Sequence, residues 1–230
     1  MSTPSSGAAV VFVPGMAGHA GEFDAMARGW VHGPHLCLDP IYGEFTIAGQ
    51  AARVAEAARA AGFTRYLVLG HSQGGVVALE LARMYPDVVV AVVIVDAPVL
   101  VPAPIRTALS LFAALLHTPI GPALLRAFVR ATFTAADAPE HRAGVLRRLA
   151  AVAHSDARRV VAAAFGFRAI DAFAALTVPS AYLRAEIPTR LDRLPVGVRG
   201  YDVSGAGHWV HLHRPDRLIA VLEELAAVGT

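Results

Sequence analysis

Read for apolar and polar positions, the chain divides into stretches of different period. From position 8 to 101, short continuous apolar runs at 8–13, 35–38, 66–69 and 88–95 alternate with segments whose apolar residues recur every three or four positions. Continuous runs of this length mark strands covered on both faces, and the periodic segments at 21–30, 46–61 and 76–85 mark helices with one buried side. Gly62 and Pro86 stop the second and third of these helices. Strands alternating with helices predict a parallel sheet with helices on both faces.

From 102 to about 172 the pattern is helical throughout. Segments 105–116, 121–132, 138–154 and 155–167 each carry apolar residues at helical spacing, with Pro or small residues at the joints. Strand patterns resume at 180–183 and 198–203, and a helix over 215–228 closes the chain. A chain of 230 residues suffices for one large domain. The expected organisation is a core of 1–101 and 173–230 with a helical insertion, 102–172, over the sheet edge. The longest apolar run, 88–101, is broken by Asp96 and Pro98, as expected of a buried strand and its exit and not of a membrane span. Met1 to Gly7 is polar without a basic cluster, unlike a secretory leader.

Composition narrows the function classes. The chain is 55% hydrophobic and 17% charged, as expected of a folded globular protein. A net charge of +2 without a basic run argues against a nucleic-acid partner, whatever the pI of 9.0 suggests. The single cysteine, Cys37, has no internal disulfide partner and reads as a small buried hydrophobe. Arg is the only basic residue besides His, and neither Lys nor Asn occurs. That bias is associated with GC-rich bacterial coding, and the cytoplasm is the expected location.

The chemistry is concentrated in Gly70-His71-Ser72-Gln73-Gly74, a G-x-S-x-G sequence between a strand pattern and a helix pattern. In a nucleophile elbow of this kind a serine sits on a strained strand-to-helix turn and projects its hydroxyl above the sheet edge. Glycines flank it because a side chain there would collide with neighbouring backbone. Two further motifs share the chain with it: Val13-Pro14-Gly15-Met16 after the first strand, and Gly205-Ala206-Gly207-His208-Trp209 after the last. Together, in this order, they resemble the α/β-hydrolase superfamily over almost the whole chain. The resemblance is to its serine esterases and thioesterases with a helical lid.

The resemblance implies a role for each matching position. Ser72 would be the nucleophile and needs a base to take its proton. His208, on a Gly-rich loop after the last predicted strand, would be that base. His71 belongs to the elbow and would point away from the site, while His211 and His213 lie just before a helix. His32, His35, His117, His141 and His154 read as solvated, capping or strand-start residues. No thiol or carboxylate cluster accompanies His208, His211 and His213, so no metal is expected. The backbone N–H groups of Met16 and Gln73 would form the oxyanion hole. Relatives often have His-Gly where this chain has Pro14-Gly15; the donor, being main chain, survives that change.

The acid departs from the commonest pattern. The turn after 180–183 reads Arg184-Ala185-Glu186-Ile187-Pro188, with Pro188 where an aspartate is usual. The other location, the end of the strand after the elbow helix, carries Asp96. Asp96 is favoured, with Glu186 as the alternative; Asp192 and Asp202 read as solvent-facing or strand residues.

The helical insertion supplies Leu109, Phe112, Leu115, Leu116, Leu124, Leu125, Phe128 and Phe133. Most must be core, and the remainder would line an apolar pocket. His19, Leu116, Phe128 and Trp209 are the candidate pocket residues. Arg126, Arg130, Arg147 and Arg148 could meet an acidic carrier but read better as solvated faces. The expectation is a cofactor-free hydrolase of a small-molecule hydrophobic ester or thioester, free or carrier-bound, without nucleic acid or membrane as partner. A C–C hydrolase, lyase or cyclase using the same pocket, and a non-catalytic binding protein, are the alternatives.

Overall fold

The computed structural model describes residues 8–229. Met1–Gly7, the stretch read above as unlike a secretory leader, and Thr230 lie outside the described residues. Six strands, β1 (Ala9–Val13), β2 (His35–Cys37), β3 (Tyr66–His71), β4 (Val89–Val95), β5 (Ser180–Arg184) and β6 (Val198–Asp202), form one sheet in the order β2-β1-β3-β4-β5-β6. Every pairing is parallel.

The helices are α1 (Asp24–Gly29), α2 (Ile47–Ala60), α3 (Gln73–Met84), α4 (Ala103–Leu115), α5 (Gly121–Ala131), α6 (Pro139–Ala151), α7 (His154–Gly166), α8 (Ala169–Ala174), α9 (Val210–His213) and α10 (Pro215–Gly229). Their packing explains the continuous apolar runs. Val11, Val13 and Val68 face a core shared with α2, α3 and α8, while Val10, Phe12, Leu67 and Leu69 face a second core shared with α1 and α10. A strand buried on both sides is apolar along its length, and polar residues such as His71 and Ser180 stand only at strand ends. Among the described residues no helix is long and apolar enough to cross a membrane.

Local chemistry accounts for where elements begin. Thr46 caps α2, its Oγ1 accepting from the Gly49 N–H at 3.0 Å. The helix expected from position 76 starts at Gln73, because Gly74 and Gly75 contribute no apolar side chain to the periodicity although their backbone is helical. The segment expected as one helix at 21–30 is a 3-10 turn, Ala20–Phe23, followed by the short α1. Five helices, α4 to α8, separate β4 from β5. Leu116, Leu125, Val129, Val145, Leu149 and Val161 give this segment its own apolar cluster, closed below by Ala17 and Trp209. Helix α4 buries none of its residues. Cys37 is half-buried, and burial, with Asp24 nearby, pushes its thiol up to about 11.

Register decides what meets at the sheet edge. Val13 aligns with Gly70, His71 with Val95, and Val95 with Leu183. The loops leaving β1, β3, β4 and β5 therefore emerge side by side at the carboxyl ends of the strands, where open α/β sheets bind ligands.

Candidate active site

The elbow is held by close backbone packing. A Cβ on Gly70 would lie 2.1 Å from the Gly74 carbonyl oxygen, and one on Gly74 would lie 2.4 Å from the carbonyl oxygens of Val13 and Pro14. Only glycine allows strand, turn and helix to approach this closely. Between them Ser72 adopts φ 54° and ψ −122°, a conformation that costs about 1–3 kcal/mol in a non-glycine residue. The turn is held by hydrogen bonds from the Ser72 N–H to Val95 O at 2.8 Å and from the Gly75 N–H to Ser72 O at 2.9 Å. The strain is sustained because β4 and α3 fix the residues on either side.

Asp96 leaves β4 with φ 41° and is fully buried. Its Oδ2 accepts from His208 Nδ1 at 2.7 Å, and its Oδ1 accepts from the N–H groups of Ala185 at 2.9 Å and Ile187 at 3.0 Å. Burial alone would push this carboxyl up, but the hydrogen bonds from His208, Ala185 and Ile187 outweigh it and hold the group below the usual carboxylate range. The carboxylate can only accept, so His208 carries its proton on Nδ1 and leaves Nε2 as an acceptor. His208 is itself nearly buried, on the loop between β6 and α9. Its carbonyl accepts from His71 Nε2 at 2.8 Å. His71 lies beneath the site, its ring 4.6 Å from that of His208 and 4.5 Å from that of His211.

Ser72 and His208 line one cavity of about 260 Å³. Met16, Gln73 and Glu186 line it too, and its walls are apolar: Pro98, Ile105, Leu109, Phe128, Val160, Val161 and Phe165, among others. A larger cavity of about 580 Å³ adjoins it across Pro98, Leu109 and Phe165 but includes none of the polar groups at the sheet edge.

Of the two candidate acids, the structure brings Asp96 to His208. Glu186 is exposed at the cavity mouth, between the two residues whose N–H groups hold Asp96. Of the four candidate pocket residues, Phe128 alone lines the cavity. Leu116, in the turn that ends α4, is fully buried in the helical cluster because residues of α5 to α7 cover it. Trp209 turns away, stacking on Phe133 and packing edge-on against His141. His19 lines a separate cleft with Glu22, His141 and Arg148.

The histidines after His208 differ from their expected settings. His211 is fully buried, its ring stacked 4.8 Å from Phe23. Burial first, and then the neighbouring histidines, pull it down to about 3. His213 Nε2 bonds Asp137 Oδ1 at 2.9 Å. His208, His211 and His213 thus turn to three different partners. Arg148, expected on a solvated face, meets the buried Glu22, with Nη2 to Oε1 at 2.8 Å. Neither setting was visible in local periodicity; an acidic residue one position before buried Phe23 was the only sign that a cation must come to it.

Comparison with known proteins agrees with this architecture. The Alpha/beta hydrolase family matches residues 10–221, and the chain belongs to that family. A protein of Enterobacter cloacae subsp. cloacae named as a carbamate hydrolase, RutD, is 37% identical over 79 residues, covering 34% of this chain. The match spans only 30% of that relative. The enol-lactonase of Burkholderia xenovorans LB400 superposes with a TM-score of 0.74 at 17% identity, over 96% of this chain and 92% of that one. A thermophilic esterase of Thermogutta terrifontis gives 0.70 at 20% identity, over 99% and 92%. At these identities the two structures attest the shared fold.

Proposed function

We propose that the chain is a serine hydrolase cleaving a carboxylic ester or thioester of a hydrophobic acyl group through an acyl-enzyme. The observation that carries this is the Asp96–His208 hydrogen bond at 2.7 Å together with the shared cavity of His208 and Ser72. His208 Nε2 takes the proton of Ser72 Oγ as the oxygen attacks the substrate carbonyl, and Asp96 holds the imidazole tautomer and offsets the imidazolium charge. The N–H groups of Met16 and Gln73 stabilise the tetrahedral oxyanion; Gln73 opens α3, where no intrahelical acceptor exists for its N–H. The proton passes from His208 to the leaving oxygen or sulfur. Water, deprotonated by the same imidazole, then releases the acid.

Cavity size and lining suggest the acyl group. A cavity of about 260 Å³ with apolar walls, open toward the larger one across Pro98, Leu109 and Phe165, suits a medium-length chain or a single-ring acyl group. The helices from α4 to α8 act as the lid within one domain, and the leaving group, free or carrier-bound, exits past Glu186. A fluorophosphonate probe with a series of p-nitrophenyl esters tests the proposal. Wild-type protein is labelled and turns over medium-chain esters, and Ser72→Ala loses both. Labelling without turnover of any ester or thioester would point to C–C bond or lyase chemistry. Absence of labelling would leave a binding protein.

A further inference from the structure

We propose that Arg148, on α6, is a positioning residue that keeps the loop after β1 turned so that the Met16 N–H faces the cavity. This rests on the oxyanion role given to Met16 above. Arg148 Nε donates to the Ala17 carbonyl at 2.8 Å while Nη2 holds Glu22 Oε1 at 2.8 Å. The link to Met16 runs through two peptide planes in series. The Ala17 C=O and the Gly18 N–H belong to one planar unit and point in opposite directions. The Gly18 N–H donates to the Gly15 carbonyl at 3.1 Å. That carbonyl is one end of the Gly15–Met16 unit, whose other end is the Met16 N–H. Fixing the Ala17 carbonyl therefore aims the N–H of the preceding residue, Met16, by way of the Gly18–Gly15 hydrogen bond.

The loop needs such a restraint. Ala17 has φ 61°, a left-handed conformation in which its Cβ crowds the backbone. Rotation of the Ala17–Gly18 peptide would relieve it and break the Gly18 N–H hydrogen bond to the Gly15 carbonyl, which releases the peptide that carries the Met16 N–H. Two side chains oppose that rotation, one on each side of Ala17: Arg148 on its carbonyl, and Tyr42, whose hydroxyl accepts from the Ala17 N–H at 3.2 Å. Glu22 fixes the guanidinium in turn. It is buried, and it packs so closely that a Cβ on Gly18 would lie 2.8 Å from its Oε2. The helical segment thereby reaches past the apolar wall and sets the geometry of the sheet-edge donor.

The test compares Arg148→Gln and Arg148→Lys with wild type in two readouts. One is turnover of a p-nitrophenyl ester. The other is affinity for an alkyl boronic acid, whose tetrahedral adduct on Ser72 puts an oxygen where the oxyanion forms. Loss of a whole oxyanion donor costs about 10²–10³ in kcat, so a misaimed one should lower kcat and boronate affinity together by about 10- to 100-fold, with KM changing less than about threefold. Arg148→Lys, which keeps one hydrogen bond, recovers part of both. Should the Arg148 variants fail to fold, Tyr42→Phe releases the other side of Ala17 and is expected to lower the same two readouts by a smaller factor. Unchanged kcat and boronate affinity in the folded variants, or a rise in KM alone, would overturn the inference. If Ser72→Ala is inactive while Arg148→Gln matches wild type, only this inference falls. A wild-type protein inert toward both ester and boronate removes the proposed function with it.

Discussion

The floor and the walls of the cavity are built by different forces. On the floor, Ser72, Asp96 and His208 are placed by strand register and directional hydrogen bonds, with both Asp96 oxygens occupied. The walls come from α4, α5 and α7, where residues such as Leu109 and Phe128 are held by contact alone, and α4 buries none of its residues. Directional bonds define positions to a fraction of an ångström, whereas apolar packing constrains volume and tolerates substitution of similar shape. Under the proposed function the floor would carry the reaction and the walls would select the acyl group.

Three experiments would break or sharpen this contrast. The largest effect is expected at Asp96: Asp96→Asn should lower kcat by about 10⁴-fold, while Glu186→Gln, at the mouth, leaves kcat within about twofold. Steady-state kinetics on one ester checks both, and the reverse order would move the acid to the rim. Next, Leu116→Ala should cost about 2–5 kcal/mol in urea unfolding because a fully buried side chain leaves a cavity. Leu109→Ala, on the half-exposed wall, should instead lengthen the preferred acyl chain with little loss of stability. Equal destabilisation by both would show the walls to be core.

The smallest effect is on pH dependence. Burial holds His71 and His211 below their ordinary value of 6.5, His211 at about 3. Between those limits the unfolded chain binds the proton that folded His211 refuses, so its contribution is intact above pH 6.5 and is lost as pH falls toward 3. Glu22, facing His211 at 3.6 Å, is raised by burial and acts in the opposite direction, as its native carboxyl takes up a proton first. The comparison must therefore be differential. Denaturant midpoints measured from pH 7.5 to 4 should fall more steeply for wild type than for His211→Gln. Parallel curves would mean that His211 is not the neutral buried group described.

What could be read from the chain follows the same division. Strands, elbow and motif order were legible because each is a local pattern: a doubly buried strand is apolar along its length, and the turn at Ser72 needs Gly70 and Gly74. The wall was not. Periodicity says that segment 105–116 has an apolar side but not whether another helix or an empty space covers it. Trp209 sits beside His208 in sequence yet points to the far side of its loop, a direction set by Phe133 and His141 from elsewhere in the chain. The pairing of Arg148 with Glu22 crosses 126 positions, and charge alone does not name its partner.

The segment 185–187 serves two masters. Its backbone amides seat the Asp96 carboxylate, while Glu186 itself is exposed and lines the cavity. Insertions or deletions there would unseat the acid whenever they reshaped the gateway. Under the proposed function, exchanging the side chain at 186 would alter what the cavity admits and leave Asp96 in place, whereas changing the length of the segment would move both.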